Sequence, residues 1–175
     1  MSWHPMEKYF IPNHQLIRVL KKDKAERTFF DYFEEEQIKS VAKGLVNGLL
    51  HLHSRNIVHR DIKPENILLD ETNKAVIGDL GKAKQLKSDE EDMAAGMEGT
   101  MYFMPPESHL FEVEQFSLKK ADIWALGVTF YCTVFNKLPF ELEKITSIDI
   151  GKYIMAAPLD LNNGRSISKP LSDFL

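Results

Sequence analysis

His59 Arg60 Asp61 Ile62 Lys63 Pro64 Glu65 Asn66, followed downstream by Gly78 Asp79 Leu80 Gly81, is the stretch on which the reading of this chain turns. A carboxylate (Asp61), an amine two positions on (Lys63) and an amide oxygen (Asn66) stand in a proline-containing turn, so three different functions can converge on one point. Asp79, returning at the end of a hairpin, adds a second carboxylate. A hard cation such as magnesium prefers such oxygen ligands and takes only one or two protein carboxylates, leaving its other positions to substrate phosphates. These residues alone read as a metal-dependent phosphoryl-transfer site.

Working outward, short apolar runs at 67–69 and 75–78 flank the polar turn 70–74 and predict a small β-hairpin. Upstream, Ile38, Val41, Ala42, Leu45, Leu49 and Leu52 recur at helical steps and predict an amphipathic helix over 34–54. One or two short helices are expected over 16–21 and 27–33, with the charged run 21–24 as a solvated turn between them. Downstream, residues 79–107 show almost no period, which inside a compact domain marks a functional or disordered loop. Residues 121–136 are apolar nearly all round and predict a buried central helix. A weaker helix is expected near 147–155, and 169–175 begins an amphipathic pattern. The fold class is therefore mainly α with a small β-hairpin.

The whole chain has 175 residues, 43% hydrophobic and 27% charged, enough apolar material for the core of one domain, which excludes a disordered or collagen-like chain. Its net charge of -4 supplies no global positive field, so neither nucleic acid nor an anionic membrane is an expected partner. The single cysteine, Cys132, lies in an apolar run and reads as core. The N-terminus lacks the apolar segment of a secretory signal, Ser2 excludes myristoylation, and the longest uncharged apolar stretch, 123–135, is too short to span a bilayer. A cytoplasmic or nuclear protein is expected.

The segment 59–66 and the Gly78 Asp79 Leu80 Gly81 turn resemble the catalytic loop and metal-binding turn of eukaryotic protein kinases. Asp79 follows Asp61 by 18 positions, Pro106 Glu107 resembles the end of the activation segment with Pro105 departing from the usual alanine, and 122–127 looks like the start of the family's central helix. The resemblance implies that Asp61 accepts or orients the proton of a substrate hydroxyl and that Lys63 stabilises the transferring phosphoryl group. Asn66 and Asp79 would hold the Mg2+ ions that bridge the phosphates of ATP. Lys63 at its spacing implies serine/threonine acceptors on protein substrates, and Thr100 matches a threonine that hydrogen-bonds near the catalytic aspartate. Leu68 would lie under the adenine ring, and Met6 Glu7 Lys8 Tyr9 resembles the hinge, with Glu7 and Tyr9 beside the nucleotide. His59 is expected to pack structurally beside Leu80, and Asp122 to anchor the loop backbone. Glu65 either favours a basic residue in the substrate or is a solvated carboxylate.

Two departures bear on regulation. Leu80 replaces the usual phenylalanine as an apolar plug, and 89–98 contains no Ser, Thr or Tyr, so Glu98 or Asp92 is expected to stand in for phosphate opposite Arg60. The resemblance covers the hinge and C-terminal lobe of a domain that is α+β when complete. Residues 1–175 are thus read as a partial kinase domain, truncated at both ends, without the N-lobe and with the last helices incomplete. No Gly-x-Gly-x-x-Gly occurs in the chain, so phosphotransfer by the isolated 175 residues is expected at background. Phe116 Ser117, 122–135 and Leu138 Pro139 Phe140 are loosely similar to the calcium/calmodulin-dependent kinase kinases. The alternative is a catalytically inactive module that docks kinase partners or substrates.

Overall fold

The computed structural model describes residues 33–69, 74–95, 99–142, 145–146, 149–162 and 164–175. Helix α1, Glu35–His53, begins where Glu34 and Gln37 form a reciprocal capping box, the Glu34 amide donating to Gln37 Oε1 at 2.9 Å. Glu35 and Glu36 place negative charge at the positive end of the helix. Its buried residues Ile38, Val41, Leu45 and Leu49 recur every three or four positions and form one continuous face. Each such aliphatic side chain removed from water contributes about 1.5–3 kcal/mol.

That face packs on two partners. The first is a hairpin, β2 (Ile67–Leu69) with β3 (Ala75–Ile77), antiparallel, with Leu68 opposite Val76. Contact is so close that a Cβ on Gly44 would lie 2.5 Å from the Ala75 carbonyl oxygen, so only glycine lets α1 approach β3. The second is helix α2, Leu118–Phe135, most of whose side chains are buried. The Ser117 hydroxyl accepts from the Lys120 amide at 3.1 Å to start α2, and Asn136, at φ 55°, ends it.

Two further antiparallel pairs pin the segments around the hairpin. β1 (Ile57–Val58) pairs with β4 (Lys84–Gln85), and β5 (Met93–Ala94) pairs with β6 (Phe116–Ser117). Among the described residues, the expectation of one hairpin is therefore corrected to three two-stranded sheets. The stretch 79–107 is likewise not structureless where it is described: it carries β4, β5 and the 3-10 turns Leu80–Lys82, Met101–Phe103 and Pro106–His109. Two-residue strands impose no visible period, which is why the sequence concealed them. Helix α3, Ile150–Ala156, packs against the Pro106–His109 turn, with the Gly151 α-carbon directly over the Pro106 carbonyl. Helix α4, Lys169–Phe174, sets Leu171 into a second apolar cluster with Ile38, Tyr131, Val134 and Phe135. The expected helix at 16–21 and nearly all of that at 27–33 lie outside the described residues. Among the described residues, no helix is long and apolar enough to cross a membrane.

Candidate active site

The catalytic-loop candidate 59–66 is held from beneath by α2. Asp122, 1% exposed in its side chain, accepts the His59 amide on Oδ2 and the Arg60 amide on Oδ1, both at 2.8 Å, and lies 3.0 Å from His53 Nε2. These bonds hold Arg60 at φ 65°, a left-handed conformation that a non-glycine residue adopts only when its surroundings impose it. Asp122 therefore anchors the loop backbone, as the sequence suggested.

Buried His59 links the loop to the end of the hairpin. Its Nε2 lies 2.9 Å from the Gly78 carbonyl oxygen, and its Nδ1 accepts the Asp61 amide at 3.3 Å. The two bonds together require the neutral ring with its proton on Nε2. Leu80, by contrast, is 55% exposed, so among the described residues it leaves apolar surface open at this end of the hairpin.

Asp61 points from this frame into a cluster of donors. The Thr100 hydroxyl donates to Oδ1 at 2.7 Å, and the ammonium groups of Lys63 and Lys82 each lie 3.0 Å from Oδ2. Lys63 Nζ also donates to Thr100 Oγ1 at 2.8 Å, closing a triangle of Asp61, Thr100 and Lys63. Burial by itself pushes the Asp61 carboxyl up, but the bonds from Thr100, Lys63 and Lys82 and the Lys63 charge outweigh it and hold the group down to about 2. Asp61 is thus an ionised carboxylate with dedicated partners at neutral pH.

Asn66, buried at the end of a 3-10 turn, donates from Nδ2 to the Asp61 carbonyl oxygen at 2.7 Å, which leaves its amide oxygen as the other end of the group. The Gly78 amide donates to the Asn66 carbonyl at 2.7 Å, so strand register sets Asn66 beside the residue that precedes Asp79. Asp79 is exposed, at φ 53°, with Oδ1 accepting the Gly81 amide at 3.1 Å. One amide oxygen and one carboxylate at the same end of a hairpin suit a hard cation that keeps phosphate or water in its remaining positions. Among the described residues, no group of three His, Cys, Asp or Glu side chains is arranged to enclose a metal, so a closed all-protein cage is not what this donor set resembles. Magnesium fits.

Leu68 is half-buried, and a Cβ on Gly78 would lie 3.1 Å from its Cδ1, so it flanks the same end of the hairpin. Glu7 and Tyr9, with Met6 and Lys8, lie outside the described residues, as does Glu98. Asp92 does not face Arg60 in the manner of a phosphate substitute. It accepts from the Ser117 hydroxyl and, at 2.8 Å, from the Lys119 amide, tying β5 to the first turn of α2. Arg60 Nε instead donates to the Lys82 carbonyl at 2.6 Å. Glu65 is half-buried, and its Oε2 is enclosed without a hydrogen-bond partner, so that oxygen is not a solvated one.

The site residue that sequence reasoning missed is Lys82. Its position directly after Gly81 was the available signal, but nothing in the spacing says that its ammonium reaches Asp61.

The family model for the protein kinase domain matches residues 9–175. The chain is 35% identical over 130 residues to the calcium/calmodulin-dependent protein kinase kinase cmkC of Emericella nidulans, covering 74% of this chain and 25% of that protein. It is equally 35% identical over 130 residues to the serine/threonine-protein kinase GRIK2 of Arabidopsis thaliana, covering 74% and 31%. A probable serine/threonine-protein kinase of Dictyostelium discoideum is 33% identical over 172 residues, covering 92% and 35%. The chain spans about a quarter to a third of the length of these curated relatives.

Proposed function

Because the chain belongs to the eukaryotic serine/threonine protein kinase family, we propose that its described residues form the C-terminal lobe of such a kinase and carry the site that transfers the γ-phosphoryl group of ATP to serine or threonine hydroxyls of proteins. The observation that carries this reading is the Asp61 carboxylate, fixed by Thr100 and Lys63 on a loop that Asp122 holds from below.

Each side chain has a physical task. Asp61, with its pKa held at about 2, is a weak base. Its first work is to orient the acceptor hydroxyl, and it takes the proton only as the new phosphorus–oxygen bond makes that hydroxyl acidic, as suits a loose transition state. Lys63 lies 3.0 Å from Asp61 and places positive charge where the phosphoryl group is transferred. Thr100 accepts from Lys63 and donates to Asp61, so it fixes the distance between orienting carboxylate and stabilising ammonium. Asn66 and Asp79 are the residues that would hold magnesium, which neutralises charge on the phosphates. Leu68, Glu7 and Tyr9 are proposed to flank the adenine.

The test uses the chain joined to the ATP-clamping small lobe of a relative, with a peptide library of serine, threonine and tyrosine acceptors, and reads the phosphoamino acids formed. Transfer to serine and threonine that requires Mg2+ and is abolished by chelation is the expected result. Transfer confined to tyrosine, or undiminished without divalent metal, would contradict the reading.

A further inference from the structure

Asp61 carries one more cation than its orientation requires. Thr100 occupies Oδ1, while Lys63 and Lys82 both lie 3.0 Å from Oδ2. The two lysines are not equivalent. Lys63 is 20% exposed and donates a second bond to Thr100, so it is built into the triangle. Lys82 is 50% exposed, its ammonium has Asp61 as its partner among the described residues, and its backbone carbonyl, held by Arg60 Nε at 2.6 Å, fixes where that side chain starts.

Two ammonium groups share the one Asp61 carboxylate, while the nearby Asp79 carboxylate is bonded to the Gly81 amide. An acceptor hydroxyl that is to bond Asp61 Oδ2 must take a place that one ammonium now fills, and the exposed one yields more readily. Once displaced, Lys82 has lost its anion. A neutral acceptor sequence offers no replacement, whereas an anionic group beside the hydroxyl offers one within reach of the displaced ammonium.

The geometry points to Lys82 as a specificity-determining residue that selects acceptors carrying an anionic group, a carboxylate or a phosphate monoester, next to the hydroxyl. This rests on the phosphotransfer reading of Asp61 but goes further, because it names a substrate class. Lys82 acts through charge and takes no part in the chemical step.

The test is binding rather than turnover, so it is separable from the kinase reading. Three fluorescent peptides, identical except for Ala, Asp or phosphoserine after the acceptor serine, are titrated with the 175-residue chain and followed by anisotropy. The anionic peptides should bind roughly fivefold tighter than the Ala peptide, the scale of one half-exposed ion pair. That ratio should fall towards one in both Lys82→Met and Lys82→Gln and return in Lys82→Arg, with circular dichroism reporting that each variant is folded. A Lys82-dependent preference for the Asp peptide identifies a carboxylate and one for the phosphoserine peptide alone identifies a phosphate; either upholds the proposal. Equal binding of all three peptides by the unaltered chain, or an anionic preference undiminished in the two neutral variants, overturns it. Neither overturning result touches the role of Asp61, which is decided by phosphoryl transfer.

Discussion

Replacing Asp122 tests how the loop is built. Its carboxylate, 1% exposed, receives the His59 and Arg60 amides at 2.8 Å each. In Asp122→Ala both amides lose their acceptor, the His59 amide in a buried place and the Arg60 amide in a partly buried one, at about 1–3 kcal/mol for each unsatisfied donor. The strained Arg60 backbone, at φ 65°, then has less to hold it. The expected destabilisation is about 2–5 kcal/mol, a large share of a domain's total stability. Asp122→Asn retains one acceptor oxygen but turns an NH2 group towards the second donor, so it should cost about half as much. Urea unfolding followed by circular dichroism measures the loss, and hydrogen exchange at the His59 and Arg60 amides localises it. The reasoning is refuted if Asp122→Ala costs under about 0.5 kcal/mol, the level of an ordinary surface substitution, or if those two amides stay as protected as before.

Three other outcomes follow from the same geometry. Asp61 titrates at about 2 against 3.8 in the unfolded chain, so its contribution of at most ~2 kcal/mol is present above pH 3.8 and disappears as pH falls through 2; in Thr100→Val, which lacks one lowering bond, the acid loss in unfolding midpoint should be smaller and should level off at a higher pH. His109 is buried with neither ring nitrogen hydrogen-bonded, and burial lowers its pKa below 6.5 against a smaller opposing effect of the Met101 backbone. Below pH 6.5 the unfolded chain therefore binds the proton more readily and stability falls, whereas His109→Leu should abolish that fall and add about 1 kcal/mol in thermal unfolding at neutral pH. Gly44→Ala would press a methyl group to 2.5 Å from the Ala75 carbonyl and should destabilise by about 1–3 kcal/mol, while Gly127→Ala, with nothing within 4 Å, should stabilise α2 by up to ~1 kcal/mol; equal chemical-denaturation midpoints for the two would contradict the packing described.

The legible parts of this fold are those governed by period. Ile38, Val41, Leu45 and Leu49 mark α1 to within a residue or so, and Ile67–Leu69 with Ala75–Ile77 mark the hairpin. The apolar pattern places the start of α2 three residues late, because Lys119 and Lys120 interrupt it, whereas the structure starts the helix at the Ser117 cap. Residues 59–66 and Asp79 were legible as chemistry because carboxylate, amine and amide crowd into one turn. What joins them was less so. The Asp122 bonds to the loop cross more than 60 positions and rested on resemblance, and the meeting of Lys82 with Asp61 depends on a turn whose direction no spacing encodes. Leu80 is exposed at the open end of the hairpin, where little surrounds it to bury against, as expected of an apolar surface that a small lobe would cover.

The most direct measurement is single-turnover phosphoryl transfer from Mg2+–ATP to a serine peptide, comparing the chain joined to a kinase small lobe with its Asp61→Asn variant at equal peptide occupancy. Asn retains the shape of the side chain and its place beside Thr100 but cannot accept the proton, so the rate should fall by roughly 10²–10⁴. A variant that transfers phosphate at the unaltered rate would contradict the account.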